Sequence, residues 1–383
     1  MLPPIILIGV LAATVLIGIA SLLALSATKL RWKIKTRSDA RHRHDLRVLP
    51  IALAGGRVPS PAPVSGRGRE VALEMMVETV ARLRGRHRIA AQMWFEGNGY
   101  VDEAIRELRS KSGWRRAQAA YRMGRFGSAR AEAYLAWRLR DPRYEVRDAA
   151  ARALGRVGGR DAIGPLLDAA EQGRVARGLV SGALLELPPG CDHALASAMN
   201  GRETDTRRLI AQVIGLRGRP VGDVLVTGLR DDEPEVRRES ALALARLGEA
   251  PGEAEIELRR LARDERPWVR ASAATALGAL LGDRAARSLA ELAGDEDFWV
   301  GYRAAEALTE LPSGAEHGWR VLMTARDTAS DRRSRRRCLE LMEQRGQVQE
   351  RLQASVERGG RDLDQLLEAL ARAGSRAWPD APR

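Results

Sequence analysis

Apolar residues recur along much of this chain with the spacing of one face of an α-helix. Over residues 146–154 they fall at the first, fourth, fifth, eighth and ninth positions. This spacing predicts an amphipathic helix, and because its stripe is mostly alanine a neighbouring helix can approach closely. A second amphipathic run lies between copies, as over 162–167 and 286–292. Two helices of about 12 residues and two tight turns account for a period of about 31 residues.

The pattern returns seven or eight times at this nearly constant period. The copies begin at Arg115, Val146, Ala176, Thr206, Val236, Val269, Val300 and Ser334. Such a period predicts a repeat array, because each hairpin is too small to bury its own apolar stripe and must stack on the next. The glycines near the ends of three copies, Gly155, Gly215 and Gly278, are predicted to stop their helices in a left-handed conformation.

The clearest copy, Val-Arg-Asp-Ala-Ala-Ala-Arg-Ala-Leu-Gly at 146–155, follows an aspartate-containing turn and resembles the HEAT repeat. Its period is shorter than the usual HEAT unit of about 40 to 47 residues. It is more similar to the compact bacterial HEAT-like repeats first named from phycobilin lyases. The resemblance covers residues 100–345 and implies an all-α fold, an α-solenoid of stacked helical hairpins that forms a HEAT-like superhelix.

Residues 3–27 contain no charged side chain. About 25 residues at ~1.5 Å each reach ~38 Å, enough to cross ~30 Å of hydrocarbon. A secretory signal peptide is the competing interpretation, but it requires a basic start and a small-x-small cleavage site, and this segment has neither. The sequence therefore predicts a single transmembrane helix over residues 1–28, ahead of the solenoid.

Basic residues follow this apolar segment and none precede it. The positive-inside rule then predicts a single-pass protein of the cell membrane, with its N-terminus outside and the repeat domain in the cytoplasm. Contact with anionic lipid head groups is expected of Lys29, Arg31, Lys33, Lys35 and Arg37. Residues 1–68 carry +8 of the chain's net charge of +13, so the basic character belongs mainly to this segment. Specific nucleic-acid binding is not predicted.

Composition suggests the remaining boundaries. Residues 29–68 read as a polybasic juxtamembrane segment followed by an extended Pro/Gly linker. Residues 69–373 read as the HEAT-like repeat domain, with 69–112 as a cap and first hairpin, and 374–383 as a flexible tail. The chain is 45% hydrophobic but only 4% aromatic, which favours thin layers of helices over a thick sandwich.

An arginine follows the apolar leader in most copies, and the preceding turns often carry an aspartate. In HEAT-like arrays such columns are similar to a ladder that links consecutive repeats. The candidate ladder residues are Arg147, Arg177, Arg207, Arg237, Arg270, Asp141, Asp231 and Asp264. The alternative is an arginine-lined groove for an acidic binding partner.

The resemblance also implies that the helix bearing this motif lines the concave face of the array. Candidate contacts for a binding partner are Arg116, Arg152, Arg208, Arg238, Glu306, and Arg333 and Arg336 in a dense basic run. Trp114, Trp268 and Trp299 lie beside the leader position of their copies. They are open to two interpretations, a staple that packs the helix start and an aromatic stripe that grips a peptide.

No set of residues indicates a catalytic site. Cys191 and Cys338 lie far apart, the five histidines are scattered, and no P-loop, GxGxxG, GxSxG or HExxH motif occurs. We expect no cofactor and no enzymatic activity. Two functions stay open: a membrane-tethered cytoplasmic scaffold for a protein that is itself membrane-associated, and the bilin-lyase-like enzyme or chaperone that the resemblance implies.

Overall fold

The computed structural model describes residues 21–22, 26, 29, 36–58, 65–83, 85–219, 221–249 and 251–311. Every regular element in these ranges is helical, which confirms the predicted all-α fold. The chain divides into two compact units, Met1–Pro188 and Pro189–Arg383, here called unit 1 and unit 2. Each unit contains a stack of helical hairpins.

Unit 1 begins with a helical stretch over 36–45 and continues through nine helices with defined bounds. They are α1 (Val48–Ala54), α2 (Gly66–Val80), α3 (Arg86–Gly97), α4 (Tyr100–Leu108), α5 (Gly113–Phe126), α6 (Glu132–Arg138), α7 (Tyr144–Val157), α8 (Ile163–Glu171) and α9 (Arg177–Glu186). Short 3-10 turns at Ala129–Ala131 and Arg160–Ala162 lead into α6 and α8.

Unit 2 repeats the alternation of a shorter and a longer helix. Its described helices are α10 (Asp192–Ser197), α11 (Thr204–Arg217), α12 (Gly222–Leu229), α13 (Pro234–Leu247), α14 (Gly252–Leu261), α15 (Pro267–Leu281), α16 (Ala286–Ala293) and α17 (Phe298–Thr309). Pro234 and Pro267 each occupy the first residue of a helix, where a missing backbone N–H costs nothing.

The helices that carry the repeated motif, called motif helices below, are α5, α7 and α9 in unit 1 and α11, α13, α15 and α17 in unit 2. Within each unit a motif helix packs against the shorter helix before it and against the next motif helix. Val146 and Leu154 in α7, like Val269 and Leu277 in α15, are fully buried at equivalent positions. Full burial of each such side chain contributes about 1.5–3 kcal/mol, so the repeated apolar stripe holds each stack together.

Gly155, Gly215 and Gly278 lie inside their helices and do not end them, which corrects the prediction that they are stop signals. A Cβ added to Gly215 would lie 2.7 Å from the Cα of Ala243 in the next motif helix. The glycine therefore permits a backbone approach that a side chain would block. Helix α11 instead ends at Gly218, whose φ of 62° is left-handed.

The start of unit 1 has a core of aromatic side chains, unlike the alanine-rich stack that follows. Trp94 and Tyr100 are stacked with ring centroids 5.3 Å apart, and Phe95 lies 4.3 Å from Phe126. Burial raises the pKa of Tyr100 to about 12, and its hydroxyl donates to the carbonyl of Arg69 at 3.0 Å. Large aromatic side chains fill the space around α3, α4 and α5. The packing in this part of unit 1 therefore differs from the alanine-rich packing between the motif helices that follow.

Part of the predicted linker is helical. Leu49 and Leu53 of α1 are buried, and α1 packs against α2 and α3. The Nδ1 atom of His87 lies 3.0 Å from the carbonyl oxygen of Leu53. Burial of this apolar face explains why a segment bordered by proline and glycine is not extended throughout. Residues 59–64, the predicted tail 374–383 and the last copy at 334–343 lie outside the described residues.

No helix within the described ranges is long and apolar enough to cross a membrane. The 15-residue helices α2 and α15 reach only about 22 Å, short of ~30 Å of hydrocarbon. This finding contradicts the predicted transmembrane helix and the predicted localisation, a single-pass protein of the cell membrane with a cytoplasmic repeat domain. Of the predicted span at 1–28, only Ser21, Leu22 and Ser26 belong to the described residues.

Candidate functional site

Arginine–aspartate pairs connect consecutive hairpins within unit 2. In the last of them, the Nε and Nη2 atoms of Arg270 donate to the two carboxylate oxygens of Asp295 at 2.7 and 2.8 Å. This is the two-bond geometry in which a guanidinium binds a carboxylate most strongly. The pairs are Arg207–Asp231, Arg237–Asp264 and Arg270–Asp295. Each runs from one motif helix to the turn before the next.

The remaining donor group of each arginine binds the turn of its own hairpin. The Nη1 atom of Arg237 donates to the carbonyl oxygens of Asp231 and Asp232 at 2.9 and 2.8 Å. Asp231 thus accepts one arginine through its carboxylate and the next through its carbonyl. Its carboxylate also accepts the backbone N–H of Glu233 at 3.0 Å. The ladder therefore uses these guanidinium groups to join neighbouring hairpins.

Unit 1 contains the most deeply buried pair of this kind. Arg116 donates to Asp141 at 2.7 and 2.8 Å, and Arg138 adds a third bond at 3.1 Å to a carboxylate with 0% exposure. Burial raises the pKa of Asp141, but the hydrogen bonds from Arg116 and Arg143 and the charges of Arg116 and Arg138 outweigh it, so this pKa lies below its ordinary value. Arg116 is only 8% exposed, so its proposed role as a contact for a binding partner is wrong.

The next connection in unit 1 lacks a carboxylate. The Nε atom of Arg147 donates to the backbone carbonyl of Arg174 at 2.6 Å, because the turn before α9 has no aspartate at the corresponding position. Its Nη1 atom still donates to the carbonyl of Asp141 at 2.9 Å. Arg177 occupies the equivalent position at the start of α9 and is exposed.

A groove of about 630 Å³ lies on the surface formed by α13, α15 and α17 in unit 2. We call it the aromatic groove. Trp268 and Trp299 occupy equivalent positions in consecutive motif helices and remain 44% and 42% exposed. The lining of the aromatic groove includes Arg238, Leu242, Trp268, Thr275, Trp299 and Arg303. Two tryptophans and two arginines therefore line the same space.

A second groove of about 630 Å³ adjoins the first and shares Thr275 and Arg303 with it. We call it the polar groove. Its charged lining residues are Asp283, Arg284, Arg303, Glu306 and Glu310. The Nη1 atom of Arg303 donates to Glu306 at 2.7 Å. The two grooves thus offer apolar rings on one side and mixed charge on the other.

The structure places the predicted contact residues in different settings. Arg238 lines the aromatic groove and Glu306 the polar groove. Arg208 is exposed on α11, 3.5 Å from Asp205, and Arg152 is exposed on α7 in unit 1. Arg333 and Arg336 lie outside the described residues.

The sequence interpretation missed Thr275 and Arg303 in the aromatic groove. Thr275 lies five residues after the motif arginine Arg270, and Arg303 lies two residues after Gly301, which replaces that arginine in α17. These spacings put them on the same helix face as Glu306 or its equivalent, and this was a usable signal. Trp268 and Trp299 remain 44% and 42% exposed, so the staple and the peptide contact both stay predictions for these rings. Trp114, the equivalent residue in α5, is 68% exposed and lies in unit 1.

The predicted lipid-contacting residues lie mostly beyond the described part of the chain. Lys29 and Arg37 are described and exposed, whereas Arg31, Lys33 and Lys35 are not described. Lipid contact and a membrane-associated binding partner were inferred from the transmembrane helix and have no support without it.

The described residues contain no group of three or more His, Cys, Asp or Glu side chains that could hold a metal ion. The side chain of Cys191 is buried. Burial raises the pKa of Asp192, but the hydrogen bond and charge of Arg217, together with backbone hydrogen bonds from Gly190 and Asp192, outweigh it, so this pKa lies below its ordinary value. Arg230 and Arg260 likewise overcome burial and lower the pKa of Glu257. Each of these carboxylates lies in an ion pair that joins elements of the stack.

Comparison with known proteins agrees with this architecture. The sequence profile of HEAT repeats matches residues 101–184 and 257–343. No curated protein matches the sequence.

Solved structures similar to this chain include human deoxyhypusine hydroxylase in complex with glycerol, at 18% identity over 73% of this chain and 99% of that chain, with a TM-score of 0.28. The complex of CpcE and CpcF of phycocyanin lyase from Nostoc sp. PCC7120 is 21% identical over 60% of this chain and 94% of that chain, with a TM-score of 0.28. Kap121p is 11% identical over 70% of this chain and 38% of that chain, with a TM-score of 0.41. None of these likenesses indicates a ligand or an activity for this chain.

The profile matches fall in both units and include the described motif helices α5, α7, α15 and α17. Stacks of such repeats offer extended surfaces that typically bind other proteins. Each unit of this chain therefore contains a stretch that matches the HEAT-repeat profile.

Proposed function

We propose that this protein is a non-catalytic scaffold that binds an acidic, aromatic-containing segment of another protein in the aromatic groove of unit 2. The observation that carries the proposal is the exposure of Trp268 and Trp299 in one groove with Arg238 and Arg303. Tryptophan and arginine are the residues that most often dominate the energy of protein–protein interfaces.

The apolar part of the groove favours an aromatic or branched side chain. A tryptophan side chain can bury about 150–250 Å² in a contact, so two half-exposed rings can contribute much of the binding energy. Their equivalent positions in consecutive repeats place them one repeat apart. An extended segment can lie across both helices and contact each ring in turn.

The charged part of the groove favours acidic side chains on the ligand. Asp297 also lines it, but its carboxylate accepts the backbone N–H groups of Trp299 and Val300 at 2.9 and 3.2 Å and so caps α17. Arg238 approaches Glu239 only to 4.0 Å. Its guanidinium therefore has donors to offer a carboxylate.

The test is selection of linear peptides from a random 12-residue library on the full chain, followed by affinity measurement on the selected peptides. We expect enrichment of peptides that combine aromatic and acidic residues. Trp268→Ala should weaken their binding by about tenfold or more, as expected for a tryptophan at the centre of an interface. Arg238→Gln should lower the affinity for acidic peptides more than the affinity for the same peptides with amides in place of the carboxylates.

The matched control is Trp114→Ala, which removes the equivalent ring from unit 1. It should leave the affinity of the selected peptides unchanged. Failure to enrich any peptide class, or equal losses in the two tryptophan variants, would contradict the proposal. The bilin-lyase alternative makes a different prediction, a change in visible absorbance when a bilin is added to the purified protein.

A further inference from the structure

Unit 1 has a small pocket whose chemistry differs from that of both grooves in unit 2. It measures about 290 Å³ and lies among the ends of α2, α5, α7 and α9 and the start of α3. Val80 and Leu83 form part of its apolar wall. The charged lining residues are Arg88, Arg125, Arg156 and Glu186. We call it the arginine pocket.

Arg125 has a donor that the protein leaves unused. Its Nε atom is buried and has no hydrogen-bond partner within the described part of the chain. Its Nη2 atom donates to the hydroxyl of Tyr121 at 3.3 Å, and the guanidinium carbon lies 5.3 Å from that ring. A buried N–H without an acceptor is destabilising, so an acceptor bound in the pocket within reach of this atom would recover that free energy.

The charges around the pocket do not cancel. Arg156 donates from Nε to Glu186 at 3.0 Å, so the one carboxylate of the lining already has a cation. Three guanidinium groups against one carboxylate leave a net charge of +2. The pocket therefore favours an anion with two negative charges over an anion with one.

Helix-end electrostatics explain some of these arginines but not all. Arg125 and Arg156 lie in the last turns of α5 and α7, where a positive charge is favourable. Arg88 is the third residue of α3, in a first turn, where the helix dipole disfavours a cation. A ligand anion would offset that cost and would satisfy the unused Nε of Arg125.

We infer that the arginine pocket binds a phosphate monoester group. A guanidinium presents paired N–H donors that match phosphate oxygens, and a phosphate monoester carries a charge of about −1.5 to −2 at pH 7. A carboxylate carries only one charge and would leave part of the surplus uncompensated. The phosphate can belong to a small metabolite or to a phosphorylated side chain. This inference does not depend on the grooves of unit 2.

The test is calorimetric titration of the full chain in phosphate-free buffer with four probes. They are inorganic phosphate, glycerol phosphate, a blocked phosphoserine peptide and the same peptide without its phosphate. We expect the three phosphorylated probes to bind and the unphosphorylated peptide not to bind. Peptide affinity at least tenfold above that of glycerol phosphate would assign the group to a phosphorylated protein, and comparable affinities would assign it to a small ester.

Two pocket variants and one matched control test which arginines contribute to phosphate binding. Arg125→Gln and Arg88→Gln should each weaken phosphate binding by tenfold or more. Arg130→Gln removes an exposed arginine that pairs with Asp102 outside the pocket, and it should change the affinity less than twofold. Wild-type affinity should also fall below pH 6, where the phosphate monoester takes up a proton.

Binding of none of the phosphorylated probes by the wild-type protein would overturn the inference. Unchanged binding by both Arg88→Gln and Arg125→Gln would overturn it as well. A lower melting temperature for Arg125→Gln, combined with no phosphate binding by the wild type, would assign Arg125 a helix-end role alone. Arg88→Gln provides a second, independent measurement if Arg125→Gln does not fold.

Discussion

Unit 1 and unit 2 are built from the same hairpin but connect it differently. In unit 2 three successive arginines each bind the carboxylate of the next turn. In unit 1 Asp141 is shared by Arg116 and Arg138, and the next arginine, Arg147, reaches the following turn only through the backbone carbonyl of Arg174. The repeat therefore tolerates a missing carboxylate where a carbonyl can accept the same N–H.

The surfaces of the two units differ more than their cores. The ninth residue after the motif arginine is Arg125 in α5 and Arg156 in α7, and both line the arginine pocket. At the same position unit 2 has Leu216 in α11, Arg246 in α13, Ala279 in α15 and Glu310 just after α17. Ala279 and Glu310 line the polar groove. Positions that hold the stack together repeat along the chain, whereas exposed positions beside them vary and set what each unit can bind.

The largest expected effect comes from breaking the buried cluster of unit 1. Asp141→Asn would leave Arg116 and Arg138 buried without their negative partner. We expect a loss of about 3 kcal/mol in the free energy of unfolding, measured by urea titration. Hydrogen exchange should localise the loss to unit 1.

The control for that variant is Asp102→Asn, which breaks the exposed pair with Arg130 in the same unit. Its cost should stay below about 1 kcal/mol, because solvent screens an exposed pair. Similar losses in the two variants would mean that burial does not set the strength of these pairs.

The close approach of motif helices provides the second prediction. Gly215→Ala would place a Cβ 2.8 Å from the Cβ of Ala243 and should cost about 1–3 kcal/mol through overpacking. Gly182→Ala, in α9 of unit 1, meets nothing within 4 Å. It should instead stabilise the protein by up to about 1 kcal/mol, because alanine favours a helix over glycine. A stabilised Gly215→Ala variant would contradict the packing role of this glycine.

The third prediction concerns the loss of stability at acid pH. The lowered pKa values of Asp141, Asp192 and Glu257 mean that the unfolded chain takes up protons before the folded one does. Their stabilising contribution is complete above the ordinary carboxyl pKa of about 4 and is lost as pH falls through the lower folded values. Urea titrations at pH 7 and pH 3 should show this loss, and it should be smaller in Asp141→Asn. Equal pH dependence in the two proteins would contradict the assignment to Asp141.

The smallest effect on stability is expected at the exposed tryptophans. Trp268→Ala and Trp114→Ala should each change the free energy of unfolding by less than about 1 kcal/mol, because the ring of Trp268 is nearly half exposed and that of Trp114 mostly exposed. Only Trp268→Ala should weaken peptide binding. A large loss of stability in Trp268→Ala would mean that its ring serves the stack and not a ligand.

Periodicity predicted the helical hairpins because one apolar stripe recurs with a helical spacing, from Val146 to Val269. It also located the columns of arginine and aspartate. It did not show that Gly155 and Gly215 lie within helices, since a glycine at a helix end and a glycine at a close helix contact look alike in one chain. Nor did it predict α1, whose Leu49 and Leu53 are buried only because α2 and α3 cover them.

The sequence by itself determined the repeating hairpin, because a stripe of small apolar residues has no stable position except against the next copy. Only the tertiary structure decided which arginines are exposed. Arg177 and Arg207 occupy the same position of the repeated motif, yet Arg177 is exposed and Arg207 is partly buried against Asp231. The arginine pocket likewise depends on helix ends far apart in the chain, because Arg88, Arg125 and Arg156 line one space only where α3, α5 and α7 come together.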